Sequence, residues 1–375
     1  MKIVLTGGGS GGHFYPLIAV AQDIQKIARE EKLLGVDVYY FSNAPYNGRM
    51  LLENNIKFVK VSAGKRRRYF SLLNYTDMFK TAKGVIKAVF ELYKIYPDVV
   101  LGKGGYASFP TLFAARFLRI PVVIHESDSV PGRVNLWASK FSEKIAISFS
   151  EAGKYFPERK TALTGNPIRN ELKAVPPEGA REFFKLEEGA PVVLILGGSQ
   201  GSETINDALI DVLPDLVQSF EVIHQTGPAK FKLVKDTANL TLMDSNFKTR
   251  YHAYEYLANL PLKIAAGAAS VAVSRAGSTI FELAAWGLPA ILIPISDSNG
   301  DHQRQNALAY AKFGACTVIE EANLTKHVLL SEIARIVGNA QMAATMRNNA
   351  KNFAKIDAGE KIARALINIA LRHEV

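Results

Sequence analysis

A β-rich run that breaks into glycines and resumes as a helix occurs twice in this chain. The first copy is Lys2-Ile3-Val4-Leu5-Thr6, followed by Gly7-Gly8-Gly9-Ser10-Gly11-Gly12-His13. The second is Val192 to Leu196, followed by Gly197-Gly198-Ser199-Gln200-Gly201. Glycine lets backbone amides approach an oxyanion closely, and the positive end of the following helix dipole stands behind them. Two such units imply two parallel sheets, each with a phosphate-type loop at the end of its first strand.

The rest of the chain has the matching pattern. Short apolar runs alternate with helical stretches: Val36 to Phe41, Val99 to Leu101 and Val122 to His125, then Glu221 to Gln225, Val271 to Ser274 and Ala290 to Pro294. Strands that are apolar on both faces and alternate with helices make doubly wound α/β sheets. At 375 residues the chain exceeds the size at which one core usually stops growing. Turn chemistry at Thr164-Gly165-Asn166-Pro167-Ile168-Arg169, with Pro176-Pro177 beyond it, marks a hinge. The expected domains are 1–165 and 166–350, with a last helical stretch, 351–375, packing back on the first.

A net charge of +10 favours an anionic partner: nucleic acid, an acidic membrane surface or a phosphorylated ligand. No aromatic-basic platform of the kind RNA readers use is evident, so nucleic acid is not expected. The single Cys316 allows no internal disulfide, and the opening residues read as a core strand rather than a signal peptide, which points to the cytoplasm. Apolar runs such as Leu283 to Ile295 are broken by Gly287, Pro289 and Pro294 and fall short of the ~20 residues that cross a bilayer.

Several motifs carry more than one reading. Gly7, Gly9 and Gly12 satisfy the spacing of a dinucleotide fingerprint, but Ser42-Asn43 stand where the ribose-binding acid belongs, and His13 stands where a P-loop needs its lysine. Between a strand and a helix, Ser274-Arg275-Ala276-Gly277-Ser278-Thr279 offers amides to a diphosphate, with Glu282 one turn on for a ribose diol. Thr279 and Glu282 have equally the spacing of a capping box. Asp301-His302-Gln303 has donors and acceptors suited to sugar hydroxyls, or is a solvated loop ahead of a helix. No Asp-x-Asp pair is present to hold a divalent metal, and no metal or cofactor is expected.

Read in order, Thr6 to His13, Gly102-Lys103-Gly104-Gly105-Tyr106, His125-Glu126, Thr164 to Arg169, Gly197 to Gly201, Arg275-Ala276-Gly277 with Glu282, and Asp301-His302-Gln303 span nearly the whole chain. With these motifs it resembles the MurG family of bacterial N-acetylglucosaminyltransferases. The resemblance implies a GT-B type α/β fold, two Rossmann-like doubly wound domains facing each other across a cleft. It implies an inverting transfer from UDP-N-acetylglucosamine to lipid I, the undecaprenyl-diphosphate-linked N-acetylmuramoyl pentapeptide, forming the β-1,4 bond of lipid II in peptidoglycan synthesis. The C-terminal domain would hold the donor: Glu282 the ribose, and Ser199, Gln200, Gly277, Ser278 and Thr279 the nucleotide and diphosphate. Arg169, His302 and Gln303 would meet the donor's phosphate or sugar. Gly9, Ser10 and Gly11 would face the transferred sugar and acceptor, with Tyr106 and Asn135 as further binding positions. One departure is His125-Glu126-Ser127-Asp128, where the family commonly has His-Glu-Gln-Asn. Another is the stretch from Arg275 to Glu282, one residue shorter than usual.

Inversion needs a base for the acceptor hydroxyl and stabilisation of the leaving diphosphate. His13 is the first candidate base, because imidazole titrates near neutrality, and Asp128 the second. Each also has a plain role, in loop orientation or capping.

A lipid acceptor accounts for the basic charge through an anionic membrane surface. Lys65-Arg66-Arg67-Arg68 adjoin Tyr69-Phe70, ahead of a helix in which Lys80, Lys83 and Lys87 share a face. The expected location is peripheral, on the cytoplasmic face of the cell membrane. The ordinary reading of that helix puts Leu72, Phe79, Ile86, Val89 and Tyr93 in the core. Rival functions are a transferase of the same architecture acting on diacylglycerol, a UDP-N-acetylglucosamine 2-epimerase, and a non-catalytic nucleotide-sugar or nucleic-acid binder.

Overall fold

The computed structural model describes residues 1–64, 73–174, 179–296 and 299–372. The chain divides into two units, Met1–Asn170 with Lys355–Val375, and Glu171–Ala354. The Thr164 to Arg169 turn segment stays with the first unit.

The first unit holds strands β1 (Lys2–Thr6), β2 (Asp37–Ser42), β3 (Ile56–Lys60), β4 (Val99–Gly102), β5 (Val122–Glu126), β6 (Lys144–Ile147) and β7 (Thr161–Leu163), in the spatial order 3-2-1-4-5-6-7. All pair in parallel. Its helices are α1 (Gly11–Glu30), α2 (Gly48–Glu53), α3 (Leu73–Ile95), α4 (Phe109–Phe117) and α5 (Arg133–Ala138). The second unit holds β8 (Val192–Leu196), β9 (Glu221–Gln225), β10 (Tyr251–Tyr254), β11 (Ala269–Ser274), β12 (Ala290–Leu292) and β13 (Cys316–Val318), also parallel, in the order 10-9-8-11-12-13. Around them run α6 (Ala180–Phe184), α7 (Glu203–Ser219), α8 (Phe231–Thr241), α9 (Asn259–Ala268), α10 (Thr279–Trp286), α11 (His302–Ala311), α12 (Lys326–Val337) and α13 (Ala340–Phe353). The last helix, α14 (Ala358–Leu371), belongs to the first unit.

Strands β4, β5, β8 and β9 are buried along their whole length, which accounts for the apolar runs they contain. Five strands carry no such run in the sequence: β3, β6, β7, β10 and β13. Four of them, β3, β7, β10 and β13, are the sheet edges and carry half-exposed or exposed residues, so their composition is mixed. In α14, Ile362, Leu366 and Ile367 enter the core that Ile3, Leu5, Leu17 and Ile24 form. At roughly 1.5–3 kcal/mol per buried aliphatic side chain, that face alone fastens the helix to the first unit.

Helix α3 differs from its sequence reading. Its buried face is Asp77, Gly84, Ala88 and Leu92, while Phe79, Ile86 and Tyr93 are exposed at 70%, 72% and 71%. The reason is close approach: a Cβ on Gly84 would stand 1.7 Å from the Ser62 carbonyl oxygen, and one on Gly64 would stand 2.0 Å from that of Asp77. Thr81 Oγ1 bridges the contact, accepting from Gly64 N–H and donating to the Asp77 carbonyl. Against residues 62–64 only small or hydrogen-bonded residues fit, so Phe79 and Ile86 point outward there, and the large buried residue, Leu92, comes two turns beyond Gly84.

Candidate active site

Both strand orders reverse direction beside the first strand, between β1 and β4 in one unit and between β8 and β11 in the other. At such a switch point the loops leaving the carboxyl ends of the two strands part and leave a crevice, the favoured ligand position of open α/β sheets. In each unit the motifs gather there.

In the first unit, the loop after β1 and the loop after β4 interlock. Gly8 has φ +134°, and a Cβ there would meet Ser42 Oγ at 2.5 Å and the Tyr40 hydroxyl at 2.9 Å, so glycine is needed on both counts. Tyr40 donates to the Gly7 carbonyl. His13 N–H and Phe14 N–H both close on the Ser10 carbonyl, while the Ser10 hydroxyl makes no capping bond. This leaves the exposed Gly9 and Ser10 and the first amides of α1 presented at an open helix N-terminus. From β4, Lys103 N–H donates to the Thr6 carbonyl, Tyr106 covers Gly9, and the His13 ring lies against Gly105. Asn43 donates to the Tyr106 hydroxyl, so the pair Ser42-Asn43 braces the loop.

The end of β5 forms a second layer. Glu126 accepts from Asp128 N–H and Gly132 N–H and from the Asn135 amide at 2.9, 3.0 and 2.9 Å. Asn135 also donates to the His125 carbonyl and lies beneath Gly104. It is buried, and its amide nitrogen is committed to this scaffold. His125 Nε2 lies 3.0 Å from the Gly165 carbonyl; burial, with Lys103 nearby, holds its pKa well below the ordinary value, so the ring is neutral. Asp128 is half-buried at the mouth of this turn. Arg169 is 4% exposed, with its guanidinium over the Tyr15 ring at 4.0 Å, so it joins the first loop's surroundings through a residue of α1.

In the second unit, Gly201 has φ +81° and sits against the Thr226 carbonyl, where a Cβ would approach to 2.1 Å. Gln225 donates to the Gly198 carbonyl and the Ser202 hydroxyl caps α7 by accepting from Ile205 N–H. Ser199 is half-buried and Gln200 exposed at the tip of this loop. Across the switch point α10 begins at Thr279, with Ser278 at its N-cap and no side-chain capping bond. Thr279 is the first helical residue and not the N-cap, so it does not take the capping-box position that its spacing to Glu282 allows. Gly277, Ser278, Thr279 and Glu282 are all half-exposed at this helix start.

Arg275 is committed elsewhere. It donates to the Ile293 carbonyl and pairs with Glu321 at 2.6 Å. Glu321 in turn accepts from the Ser296 backbone and hydroxyl. Burial works against the Glu321 charge, but the Ser296 hydrogen bonds and Arg275 overcome it and hold its carboxyl down to about 2. Gln303 accepts from Ile295 N–H and Asn306 donates to the Ala276 carbonyl, so the loop after β12 is tied to the loop after β11. His302 and Gln303 open α11 half-exposed.

The predicted residues thus fall into two groups: Gly9, Ser10, Gly11, His13, Tyr106, Asp128, Asn135 and Arg169 in the first unit, and Ser199, Gln200, Gly277, Ser278, Thr279, Glu282, His302 and Gln303 in the second. Lys65 to Phe70 lie outside the described residues. Sequence reasoning missed Glu321 and Lys103. Glu321 carries no local signal, since its partner Arg275 is 46 positions away. Lys103 stands inside the Gly102 to Tyr106 motif, and nothing in the sequence marks it as buried.

Two parallel sheets of this order, each with a glycine loop at its switch point, define a GT-B glycosyltransferase fold, and comparison with known proteins agrees. The glycosyltransferase family 28 N-terminal domain matches residues 3–147 and the family's C-terminal domain matches residues 192–362. The chain is 34% identical over 371 residues to the UDP-N-acetylglucosamine–N-acetylmuramyl-(pentapeptide) pyrophosphoryl-undecaprenol N-acetylglucosamine transferase of Listeria welshimeri, covering 98% of this chain and 99% of that one. It is 38% identical over 344 residues to the transferase of the same name from Clostridium perfringens, covering 91% of each. Among solved structures, Acinetobacter baumannii MurG superposes with a TM-score of 0.72 at 24% identity, over 98% of this chain and 99% of that one. A UDP-GlcNAc 2-epimerase from Neisseria meningitidis shares the fold with a TM-score of 0.68 at 16% identity, over 98% and 100%. The chain is a hexosyltransferase of glycosyltransferase family 28, and within it belongs to the MurG family of N-acetylglucosamine transferases.

Proposed function

We propose that this enzyme transfers N-acetylglucosamine from UDP-N-acetylglucosamine to the C4 hydroxyl of lipid I, with inversion, to give lipid II. The observation that carries the reading is the gathering of its motifs at two switch points, one in each unit, within a chain of this family. The second unit takes the donor. The start of α10 and the Gly197 to Gly201 loop offer amides to the diphosphate, Ser199, Gln200, Gly277, Ser278 and Thr279 hold the nucleotide, and Glu282 accepts from the ribose diol. His302 and Gln303 meet the sugar.

The first unit takes the acceptor. Gly9, Ser10 and Gly11 face it at the start of α1, with Tyr106 beside them and Asn135 setting the layer below. His13 takes the proton from the attacking hydroxyl, and Asp128 lies in the same wall as the second group able to accept one. Developing charge on the leaving diphosphate is stabilised by helix amides and by Arg169.

The lipid acceptor places the protein at the cytoplasmic face of the membrane as a peripheral protein. Among the described residues no helix is long and apolar enough to cross a bilayer. Helix α3 instead carries an outward stripe of Tyr75, Phe79, Ile86, Phe90 and Tyr93, with Lys80, Lys83 and Lys87 alongside. An apolar stripe flanked by lysines suits an anionic interface, with each basic residue worth about 1 kcal/mol there. The basic run Lys65 to Arg68 with Tyr69 and Phe70, the sequence's own candidate for membrane contact, precedes this helix in the chain.

UDP release measured with a lipid I analogue, with diacylglycerol and with no acceptor tests the assignment. Release only with the lipid I analogue is expected; equal release with diacylglycerol would refute it. His13→Ala is expected to lose turnover at least about a hundredfold while donor binding is retained. A parallel loss of donor affinity with no separate loss of turnover would make His13 a binding residue.

A further inference from the structure

The chain passes between the two units twice, from Asn170 to Glu171 and from Ala354 to Lys355. On the first unit's side, both passages are fastened to one place on α1. Asp23 lies in the interior of that helix and is 3% exposed. Aspartate is a poor interior helix residue, and a carboxylate taken out of water needs donors or positive charge around it. Its neighbours supply both, and they belong to the two passages.

At the first passage, Asp23 Oδ1 accepts from the Asn170 side-chain amide at 3.3 Å, and the adjacent Gln22 Oε1 accepts from Asn170 N–H at 3.1 Å. Upstream, Thr164 N–H and Gly165 N–H donate to the Ile147 carbonyl at 3.0 and 3.1 Å. At the second passage, Asp23 Oδ2 fills the space that a Cβ on Gly359 would take, in the first turn of α14. Asp357, the N-cap of α14, makes no side-chain capping bond, so a buried anion from α1 stands at the positive end of that helix. The passages also touch each other: Gly165 has φ +85°, and a Cβ there would overlap the Lys355 Cβ.

The second unit holds its own ends. The Leu172 carbonyl accepts from Trp286 Nε1 at 2.7 Å, and the Phe353 ring lies 5.8, 4.8 and 5.0 Å from those of Phe281, Tyr310 and Phe313. At each passage one residue, Glu171 or Ala354, therefore stands between an anchor in one unit and an anchor in the other.

We propose that Asp23 is a positioning residue for transfer: its two carboxylate oxygens clasp both passages to α1, the helix that carries His13 at its start, and confine the turning of the chain between the units to Glu171 and Ala354. The clasp is independent of the reaction; its part in turnover rests on the transferase reading.

Hydrogen exchange of the full chain, read by mass spectrometry, tests the clasp. In Asp23→Ala, peptides covering 163–172 and 355–362 are expected to exchange at least about tenfold faster together, with β1 and β5 unmoved. Asn170→Ala, at an exposed position, is expected to loosen 163–172 alone, and decides the matter if Asp23→Ala does not fold. Unmoved peptides, or loosening that reaches β1 and β5 equally, would overturn the clasp whatever reaction the protein performs. Spin labels at Leu34 and Leu240, both exposed and one in each unit, are expected to give a wider distance distribution in Asp23→Ala than in its parent. In turnover, Asp23→Asn is expected to lower kcat per UDP-binding site roughly threefold to tenfold with the KM for UDP-N-acetylglucosamine unchanged. Loosened passages with either of these readouts unmoved would overturn the positioning role, whereas no transfer by the wild type would refute the transferase reading and not the clasp.

Discussion

His224 shows how a single buried side chain links the second unit to pH. Its ring nitrogens meet Tyr251 Oη at 2.9 Å and Asn206 Oδ1 at 3.0 Å, and burial draws its pKa from 6.5 to about 3. The folded state therefore refuses a proton that the unfolded chain takes up below pH 6.5. Stability is whole above that pH and falls progressively as pH drops towards 3. Thermal melting between pH 7 and about 4 is expected to fall more steeply for wild type than for His224→Gln, and parallel slopes would contradict this. At this scale much of the site was legible, because Gly8 and Gly201 occupy positions that chain geometry reserves for glycine. What was not legible was which polar side chain is spent on structure. Asn135 and Arg275 read as ligand groups or motif members, yet long-range partners hold both, His125 and Glu126 for one and Ile293 and Glu321 for the other.

Among the elements, α3 shows why hydrophobic periodicity finds a helix but not its buried side. The stripe of Phe79, Ile86 and Tyr93 has helical spacing, but the contact with residues 62–64 admits only the small face. Replacing Phe79, Ile86 and Tyr93 together by serine is expected to cost under about 1 kcal/mol of stability, because all three are already in water. Binding to anionic vesicles, read by sedimentation, is expected to fall at least about tenfold; undiminished binding would remove α3 from the membrane surface. The Glu321 brace makes a second element-scale prediction. Glu321→Gln keeps an acceptor for Ser296 but loses the ion pair with Arg275, loosening the loops after β11 and β12. A KM for UDP-N-acetylglucosamine raised roughly threefold to tenfold with kcat little changed is expected, equivalent to about 1 kcal/mol. A fall in kcat at constant KM would contradict it.

For the whole molecule, the two strand–glycine-loop–helix units fixed the class of fold, since each demands a parallel sheet with its ligand position at the carboxyl end of the first strand. The edge strands escaped notice for the opposite reason: β7 and β10 are too short and too exposed to leave an apolar run. The same fold also carries UDP-GlcNAc 2-epimerases, so architecture alone does not fix the reaction. The most direct measurement is therefore of the product formed from UDP-N-acetylglucosamine and a soluble lipid I analogue. NMR is expected to show a disaccharide with a β-linked N-acetylglucosamine on C4 of the muramoyl residue, and no change in the donor when acceptor is withheld. Acceptor-independent conversion of the donor to its C2 epimer, with no disaccharide formed, would contradict the assignment.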